Sequence, residues 1–180
     1  EALKRRAVKT EPGQWVQGFK YDDTKTEENR FLTTSDLDKV STELPIFVSH
    51  RAGHVYYANS KALSLAGFTD ESPDPHGGKL GRDPNTGKLN GVIYERAGEA
   101  FKELLPEIEP EDRRRGLQLI NGMLSEVGLT SVHDASVSND EFVTYQEGLA
   151  NGDLDLRVYM LMAKAHFPAL RDAGIRTGFG

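Results

Sequence analysis

The stretch LTSVH at residues 129–133 decides the fold, together with its counterpart LRVYML at residues 156–161. Both runs are short, apolar and rich in β-branched or aromatic residues, which is typical of strands. The helix between them is predicted to begin at a capping box, SNDE at residues 138–141, and to end at Gly152. Two strands joined by a helix of this length are most simply parallel, with a right-handed crossover. This part of the chain is therefore predicted to be a slice of an α/β fold.

A longer helix is predicted to precede the first of these strands. Four apolar residues recur at i, i+3, i+7 and i+10 and share one helical face: Leu117, Ile120, Leu124 and Val127. Pro110 suits the first turn of this helix, and Gly128 suits its end. A short helix is also predicted over residues 169–173. Residues 106–180 thus have the order α-β-α-β-α, which makes two strand–helix units.

Residues 1–105 contain short apolar runs between turn signals made of Gly, Pro, Asn and Asp. Strands are predicted at residues 15–19, 45–49, 55–58 and 89–94. Asn59 is predicted to cap a short helix that Gly67 ends in the left-handed conformation. The turn-dense stretch at residues 77–87 is predicted to be a loop or hairpin end, and residues 97–105 are predicted to be helical. The first part of the chain is therefore predicted to be an α+β region.

The composition excludes several classes of protein. The chain has 22 Lys and Arg against 28 Asp and Glu, so its formal net charge is −6, which argues against nucleic acid as a partner. No apolar run approaches the roughly 20 residues of a membrane span. The absence of cysteine excludes disulfides, thiolate zinc sites and a cysteine nucleophile in these residues. No apolar stretch of a signal peptide follows the opening run EALKRR, so we predict a cytoplasmic protein without membrane contact.

Some candidate residues for chemistry follow the predicted parallel strands, because active sites of such folds collect at the carboxyl ends of strands. His133 and Asp134 follow the first strand, and Lys164 and His166 follow the second. An imidazole beside a carboxylate is able to ligate a metal or to act as an oriented base. The alternative is that His133 caps the strand by bonding to the backbone and that Asp134 is a turn residue. The residues alone leave both interpretations open.

Further candidates lie in the first region. His50 and His54 are four residues apart, a spacing that binds a metal when both lie on one helix. Gly53 and the strand-like flanks predict a strand-turn-strand instead, which favours a loop histidine that contacts substrate. Glu95 directly follows the apolar residues 92–94. It is either a buried catalytic or ligand carboxylate or a first-turn glutamate favoured by the helix dipole.

An ordered series of short motifs runs through nearly the whole chain, from about residue 12 to residue 180. The motifs are WVQG at 15–18, SDLD at 35–38, LPIFV at 44–48, GH at 53–54, NSKAL at 59–63, PDPHGG at 73–78, RD at 82–83, TG at 86–87, GVIYE at 91–95 and GLTSVHD at 128–134. This series resembles amidohydrolase family 3, in its branch of formamide-deformylase-like, metal-dependent hydrolases. Each motif alone is weak, and the order of the series carries the resemblance.

The resemblance implies part of a TIM-like (β/α)8 barrel with a metal site, usually zinc, at which an activated water attacks the C–N bond of an amide or formamide. It implies that residues 1–105 are an insertion after the first barrel strand and that residues 106–180 are two barrel units. The family's His-x-His, its bridging lysine and its later ligands do not map onto this sequence, so no metal is expected in it. Catalytic residues stay unassigned, and four substrate-pocket candidates are carried over: His54, Asn59, Glu95 and His133.

Two hypotheses follow for the function. The first is an internal fragment of a metal-dependent amidohydrolase, cut by design or by proteolysis and inactive alone, whose parent acts on a small amide-type molecule. The missing initial Met and the stop at Gly180 are expected marks of such cutting, and a homo-oligomer is left open. The second is a self-standing binding or interaction module without catalysis. The pair of predicted parallel strands favours the first, because it leaves open edges, and it predicts a dimer or mobile edges.

Overall fold

The computed structural model describes residues 1–176 and divides into two compact units, the first Glu1–Pro106 and the second from Glu107 onward. The first unit contains a five-stranded mixed sheet, and the second contains a two-stranded parallel sheet. Among the described residues, every helix is too short or too polar to cross a membrane.

The first unit is built on a five-stranded mixed sheet. The strands are β1 (Val16–Tyr21), β2 (Ile46–His50), β3 (Val55–Ala58), β4 (Gly78–Arg82) and β5 (Leu89–Glu95). Their order in the sheet is β1-β2-β3-β5-β4. Strands β1 and β2 are parallel, and the other neighbours are antiparallel. The helices are α1 (Ala2–Ala7), α2 (Thr34–Asp38), α3 (Ser60–Leu65) and α4 (Glu99–Lys102).

Both faces of this sheet are covered. Successive side chains of a strand point to opposite faces, so the strands contribute to two separate cores. One face packs with helices α3 and α4 into a core of Phe47, Tyr56, Ala58, Ala62, Leu63, Leu80, Ile93, Ala97 and Phe101. The other face forms a core of Val16, Leu37, Ile46, Val48, Tyr57 and Val92, against which Leu3 and Ala7 of α1 also pack. The first unit is therefore a three-layered α+β arrangement with two separate cores.

Most predictions for this unit are confirmed, but helices α1 and α2 and strand β4 were not predicted. The four predicted strands are present within one or two residues, and Gly67 has the left-handed φ of +74°. Strand β4, however, lies inside the stretch 77–87 that was predicted to be a loop or hairpin end. Two glycines of this strand are required by close packing and not by turns. A Cβ at Gly78 would collide with the backbone of Ala97, and a Cβ at Gly81 would lie 2.9 Å from Val92. The predicted helix over 97–105 is only the short α4.

The second unit contains one βαβ crossover preceded and followed by a helix. Its elements are α5 (Pro110–Glu126), β6 (Ser131–Val137), α6 (Asn139–Asn151), β7 (Arg157–Met162) and α7 (Phe167–Asp172). Strands β6 and β7 are parallel, and the Ser138–Glu141 capping box is present with Gly152 in the left-handed conformation. The predicted α-β-α-β-α order is confirmed. The described residues form a mixed α/β structure and contain no closed barrel.

One prediction about burial in this unit, that residues 129–133 form a buried strand, is wrong, and the predicted apolar face of α5 is only partly buried. The first predicted strand begins two residues later than expected and continues to Val137, and it is largely exposed rather than buried. In α5, Leu117 is buried, whereas Ile120 and Val127 of the predicted apolar face are 43% and 74% exposed. The physical reason is that an apolar pattern marks a face able to be buried, while burial itself requires a second surface to cover it.

Candidate functional site

Two of the four pocket candidates meet in the first unit. His54 lies just before β3 and Glu95 ends β5, and these strands are antiparallel neighbours with Val55 opposite Tyr94. The Nδ1 atom of His54 lies 3.0 Å from Oε2 of Glu95, and the side chains are 69% and 57% exposed. The backbone N–H of Glu95 also donates to the carbonyl of His54 at 2.8 Å. We call these two residues the His54–Glu95 dyad.

Glu95 has an unfavourable backbone conformation. Its φ of 50° and ψ of −128° match the first central position of a type II′ turn, where glycine is usual. Such a conformation costs a non-glycine residue about 1–3 kcal/mol. An exposed contact between a histidine and a carboxylate contributes no more than an exposed ion pair, about 0–1 kcal/mol, so it does not compensate for the strain. Stability therefore does not explain a glutamate at this position, and strained residues cluster at functional sites.

A chain of contacts holds the turn that carries His54. The hydroxyl of Tyr56 donates to the carbonyl of Gly53 at 2.8 Å, and Nζ of Lys102 donates to the Tyr56 hydroxyl at 2.8 Å. The same ammonium lies 4.7 Å from the centre of the Tyr56 ring, a favourable cation–π contact. Sequence reasoning missed Tyr56 and Lys102 as supports, because they are 46 residues apart and neither belongs to a recognisable motif.

His50, the second histidine of the four-residue spacing, binds a different carboxylate. Its Nε2 atom lies 2.9 Å from Oδ1 of Asp23, and its ring packs edge-on against Phe31 and Tyr57. His50 and His54 thus each pair with their own acidic residue in a strand-turn-strand, as predicted from Gly53. Tyr57 beside them is fully buried, and burial is the main reason that the pKa of its hydroxyl is raised.

Asn59, the third pocket candidate, has a structural role. Its Oδ1 accepts from the backbone N–H groups of Ile46 and Ala62, each at 2.9 Å. Its Nδ2 donates to the carbonyls of Ser41 and Leu44 at 2.8 and 2.9 Å. These four bonds use the full hydrogen-bonding capacity of the amide, so no polar atom of this buried side chain remains for a substrate. The predicted helix cap is confirmed.

His133 and Asp134 lie in the middle of β6, not at its carboxyl end as predicted. His133 is exposed, with its ring centre 5.2 Å from that of Tyr159 on β7. Asp134 accepts a 2.8 Å hydrogen bond from the hydroxyl of Tyr145 on α6. Burial, with this bond to a carboxylate as the second cause, raises the pKa of Tyr145. Asp134 therefore points towards α6 and joins the strand to its crossover helix.

The prediction placed these two residues too late in the strand because β6 extends past them. Ser136 has a positive φ of 62°, and the pairing with β7 shifts register between Ala135 and Val137. Lys164 and His166 do follow the end of β7, in a 3-10 turn.

No group of three or more His, Asp or Glu side chains within residues 1–176 is arranged to hold a metal ion. The His54–Glu95 dyad and the His50–Asp23 pair supply two side chains each, whereas a protein metal site commonly takes at least three protein ligands. The donor set of the described residues therefore does not fit a resident metal.

The fold matches part of larger hydrolase structures. One, from Pyrococcus furiosus, has a TM-score of 0.58 at 24% identity and covers 99% of this chain and 35% of that one. Another, from Pyrococcus horikoshii OT3, has a TM-score of 0.57 at 21% identity and covers 96% of this chain and 32% of that one. Both are named as uncharacterised metal-dependent hydrolases. At these identities the likeness defines the class of fold and no more.

The family follows from the sequence comparison. A model of the amidohydrolase family matches residues 1–177, so this chain belongs to that family, and the resemblance seen in the ordered motifs is confirmed. N-substituted formamide deformylase of Arthrobacter pascens is 30% identical over 178 residues, which are 97% of this chain and 33% of that protein. The putative amidohydrolase YtcJ of Bacillus subtilis (strain 168) is 26% identical over 90% of this chain and 31% of its own length. The chain spans about a third of the length of these relatives.

Proposed function

We propose that this chain works within a longer metal-dependent hydrolase that cleaves a C–N bond of a small amide or formamide. The family match over residues 1–177 carries the proposal, and the similarity to a protein named as a formamide deformylase supports the choice of bond. In this proposal residues 1–105 are an insertion after the first strand of a TIM-like barrel, and residues 106–180 supply two of its strand–helix units.

The exposed face of β6 and β7 supports the place of the second unit in a larger sheet. Alternate residues of the two strands form this face in facing pairs: Ser131 with Arg157, His133 with Tyr159, and Ala135 with Leu161. Tyr159 and Leu161 are 47% and 48% exposed. Parallel strands are found almost only in sheets that are covered on both faces, so a bare parallel pair needs further strands and a covered face.

The metal of this proposal, expected to be zinc, is held by residues of the longer protein outside this chain, because the described residues do not fit one. The chain alone is then inactive. The test is to measure bound metal and hydrolysis of simple formamides and amides for the 180-residue chain and for a longer protein that contains it. We expect metal and turnover only in the longer protein. Stoichiometric metal with turnover in the 180-residue chain would contradict the proposal, as would a longer protein that cleaves neither class of bond.

The competing hypothesis, a self-standing binding module, makes a different prediction for β6 and β7. A module that functions alone is expected to be a rigid monomer, with slow amide exchange in both strands. The proposed part of a barrel is expected to dimerise or to exchange these amides much faster than those of β2 and β3. Light scattering and hydrogen exchange on the 180-residue chain distinguish the two.

A further inference from the structure

We propose that the His54–Glu95 dyad binds the N–H group of an amide ligand through the Nε2 atom of His54, with Glu95 as the residue that positions the imidazole. The inference rests on the proposed C–N hydrolysis and names a contact of this chain with the substrate. It concerns residues that the chain itself contains, so it is testable on the chain itself.

The hydrogen bond to Glu95 determines what His54 offers to a ligand. With the carboxylate 3.0 Å from Nδ1, the proton of a neutral imidazole resides on Nδ1 and the lone pair on Nε2. The carboxylate also fixes the orientation of the ring, as it does for histidines that bind metals. The neutral imidazole with its carboxylate carries one negative charge, so Nε2 is a strong acceptor that suits an N–H donor.

The site is both open and fixed in position. The dyad side chains are 69% and 57% exposed, so a ligand is able to reach Nε2. Their backbones are joined by the 2.8 Å bond from the Glu95 N–H to the His54 carbonyl, and the turn before His54 is held by Tyr56 at Gly53. A site that is rigid before the ligand arrives loses less entropy on binding.

The backbone of Glu95 argues that the carboxylate is retained for a contact of this kind. A glycine would occupy its φ of 50° without strain, but it would leave the Nδ1 atom of His54 without its acceptor. Glu99, four residues after Glu95, gives a matched comparison. Its exposed carboxylate pairs with Arg96 at 3.2 Å instead of with a histidine.

Amides contain the group that the dyad is suited to bind, and so do the amines that their hydrolysis releases. N-butylformamide carries one amide N–H, whereas N-butyl-N-methylformamide has the same carbonyl without it. The two probes therefore separate a hydrogen bond to Nε2 from general contact with the formyl group or the alkyl chain.

The experiment is an NMR titration of the ¹⁵N-labelled 180-residue chain, followed at the ring resonances of His54. N-butylformamide, added to about 50 mM so that a site with a Kd of a few millimolar would be mostly filled, is expected to give a saturable shift. The N-methylated probe is expected to give none. Glu95→Gln should weaken the response about fivefold, since charge-assisted hydrogen bonds are roughly twice as strong as neutral ones. Glu99→Gln should match the wild type.

The ¹⁵N spectrum of the ring gives a second readout that a merely structural role would not move. Wild-type His54 is expected to be the Nδ1–H tautomer at neutral charge, and Glu95→Gln is expected to shift it towards a mixture. The proposal is overturned if His54 shows no saturable shift, if both probes act alike, or if Glu95→Gln changes neither the response nor the tautomer. Failure of the longer protein to hydrolyse amides would remove the proposed function while leaving these binding results to stand or fall separately.

Discussion

The two units of this chain use their apolar residues in opposite ways. In the first, a five-stranded sheet separates two cores, and residues such as Tyr57 and Phe101 are fully buried. In the second, a two-stranded sheet has helices against one face, and Leu161 and Phe167 are 48% and 61% exposed. The difference teaches that the first unit buries its apolar residues in contacts within itself, whereas the second leaves apolar surface exposed, which the proposed longer protein would cover.

The largest expected effect contrasts one phenylalanine from each unit. Phe101 is fully buried and stacks on Phe47 with ring centres 4.9 Å apart. Phe101→Ala should lower the free energy of unfolding of the first unit by about 3–5 kcal/mol. Phe167→Ala, at an exposed residue, should change that of the second unit by less than about 0.5 kcal/mol. Urea denaturation followed by NMR signals of each unit measures both, and equal losses would break the comparison.

A smaller effect is expected from the buried asparagine of each unit. Asn59 makes four hydrogen bonds, whereas Asn121 makes two, both with Asp155. Asn59→Ala should cost about 3 kcal/mol, because it leaves buried backbone groups without partners. Asn121→Ala should cost about half as much, because it removes two bonds instead of four. The same denaturation experiment applies, and a larger loss for Asn121 would show that the second unit depends more on its polar contacts.

The first unit is expected to lose stability in acid because Asp36 becomes protonated. The hydrogen bond and charge of Arg30 hold the pKa of Asp36 well below its ordinary value of 3.8, with Thr33 assisting. A lowered pKa stabilises the folded state above pH 4, and this contribution is lost as the pH falls below that value. Because Arg30 is half exposed, we expect the loss to be about 1 kcal/mol. Between pH 5 and pH 2, measured by thermal unfolding, wild type should lose more stability than Asp36→Asn.

The second unit supplies the control for that pH effect. Arg114 and then Gln118 lower the pKa of Asp153 in the same direction, each with one hydrogen bond. Asp36, by contrast, accepts two bonds from Arg30 and two from the backbone N–H and hydroxyl of Thr33. Asp153→Asn should therefore reduce the acid sensitivity of the second unit less than Asp36→Asn reduces that of the first. Identical pH profiles for wild type and Asp36→Asn would contradict the role of Asp36.

The smallest expected effect is a gain. Glu95 in the first unit and Ser136 in the second both have positive φ angles, of 50° and 62°. Glycine at either position should raise the free energy of unfolding of its unit by about 0.5–1 kcal/mol, because it relieves the strain. The gain at Glu95 should be the smaller one, since that variant also loses the contact with His54. Denaturation curves test both variants, and a loss of stability at Glu95 would mean that the contact with His54 outweighs the strain.

Local chemistry explains how much of the fold could be predicted from the sequence. The capping box at Ser138, the Asn59 cap and the left-handed glycines depend on neighbours within a few residues, and all of them are confirmed. Strand β4 was missed because Gly78 and Gly81 carry no side-chain pattern, and their need for close packing is visible only against Ala97 and Asn90. Strand β4, whose glycines are explained by distant contacts, was thus the one strand of the described residues that sequence reasoning missed, while the local capping box of Thr33 and Asp36 that begins α2 was overlooked.

The candidate site divides in the same way. His54 and Glu95 were each recognisable as candidates, but nothing in the spacing of two residues 41 positions apart paired them. Their contact requires the register of β3 against β5, which sets Val55 opposite Tyr94. Asn59 was recognised as a cap, and only its four bonds show that the cap occupies every polar atom of its side chain.

The sequence by itself determined the family, the order of the elements in the second unit and the caps of helices α3 and α6, because motifs and caps are short-range features. Only the tertiary structure decided which faces are covered, that His133 lies within its strand, and that Glu95 turns back towards His54. Those outcomes depend on strand register and on the surfaces that meet, and both are set by contacts between residues far apart in the chain.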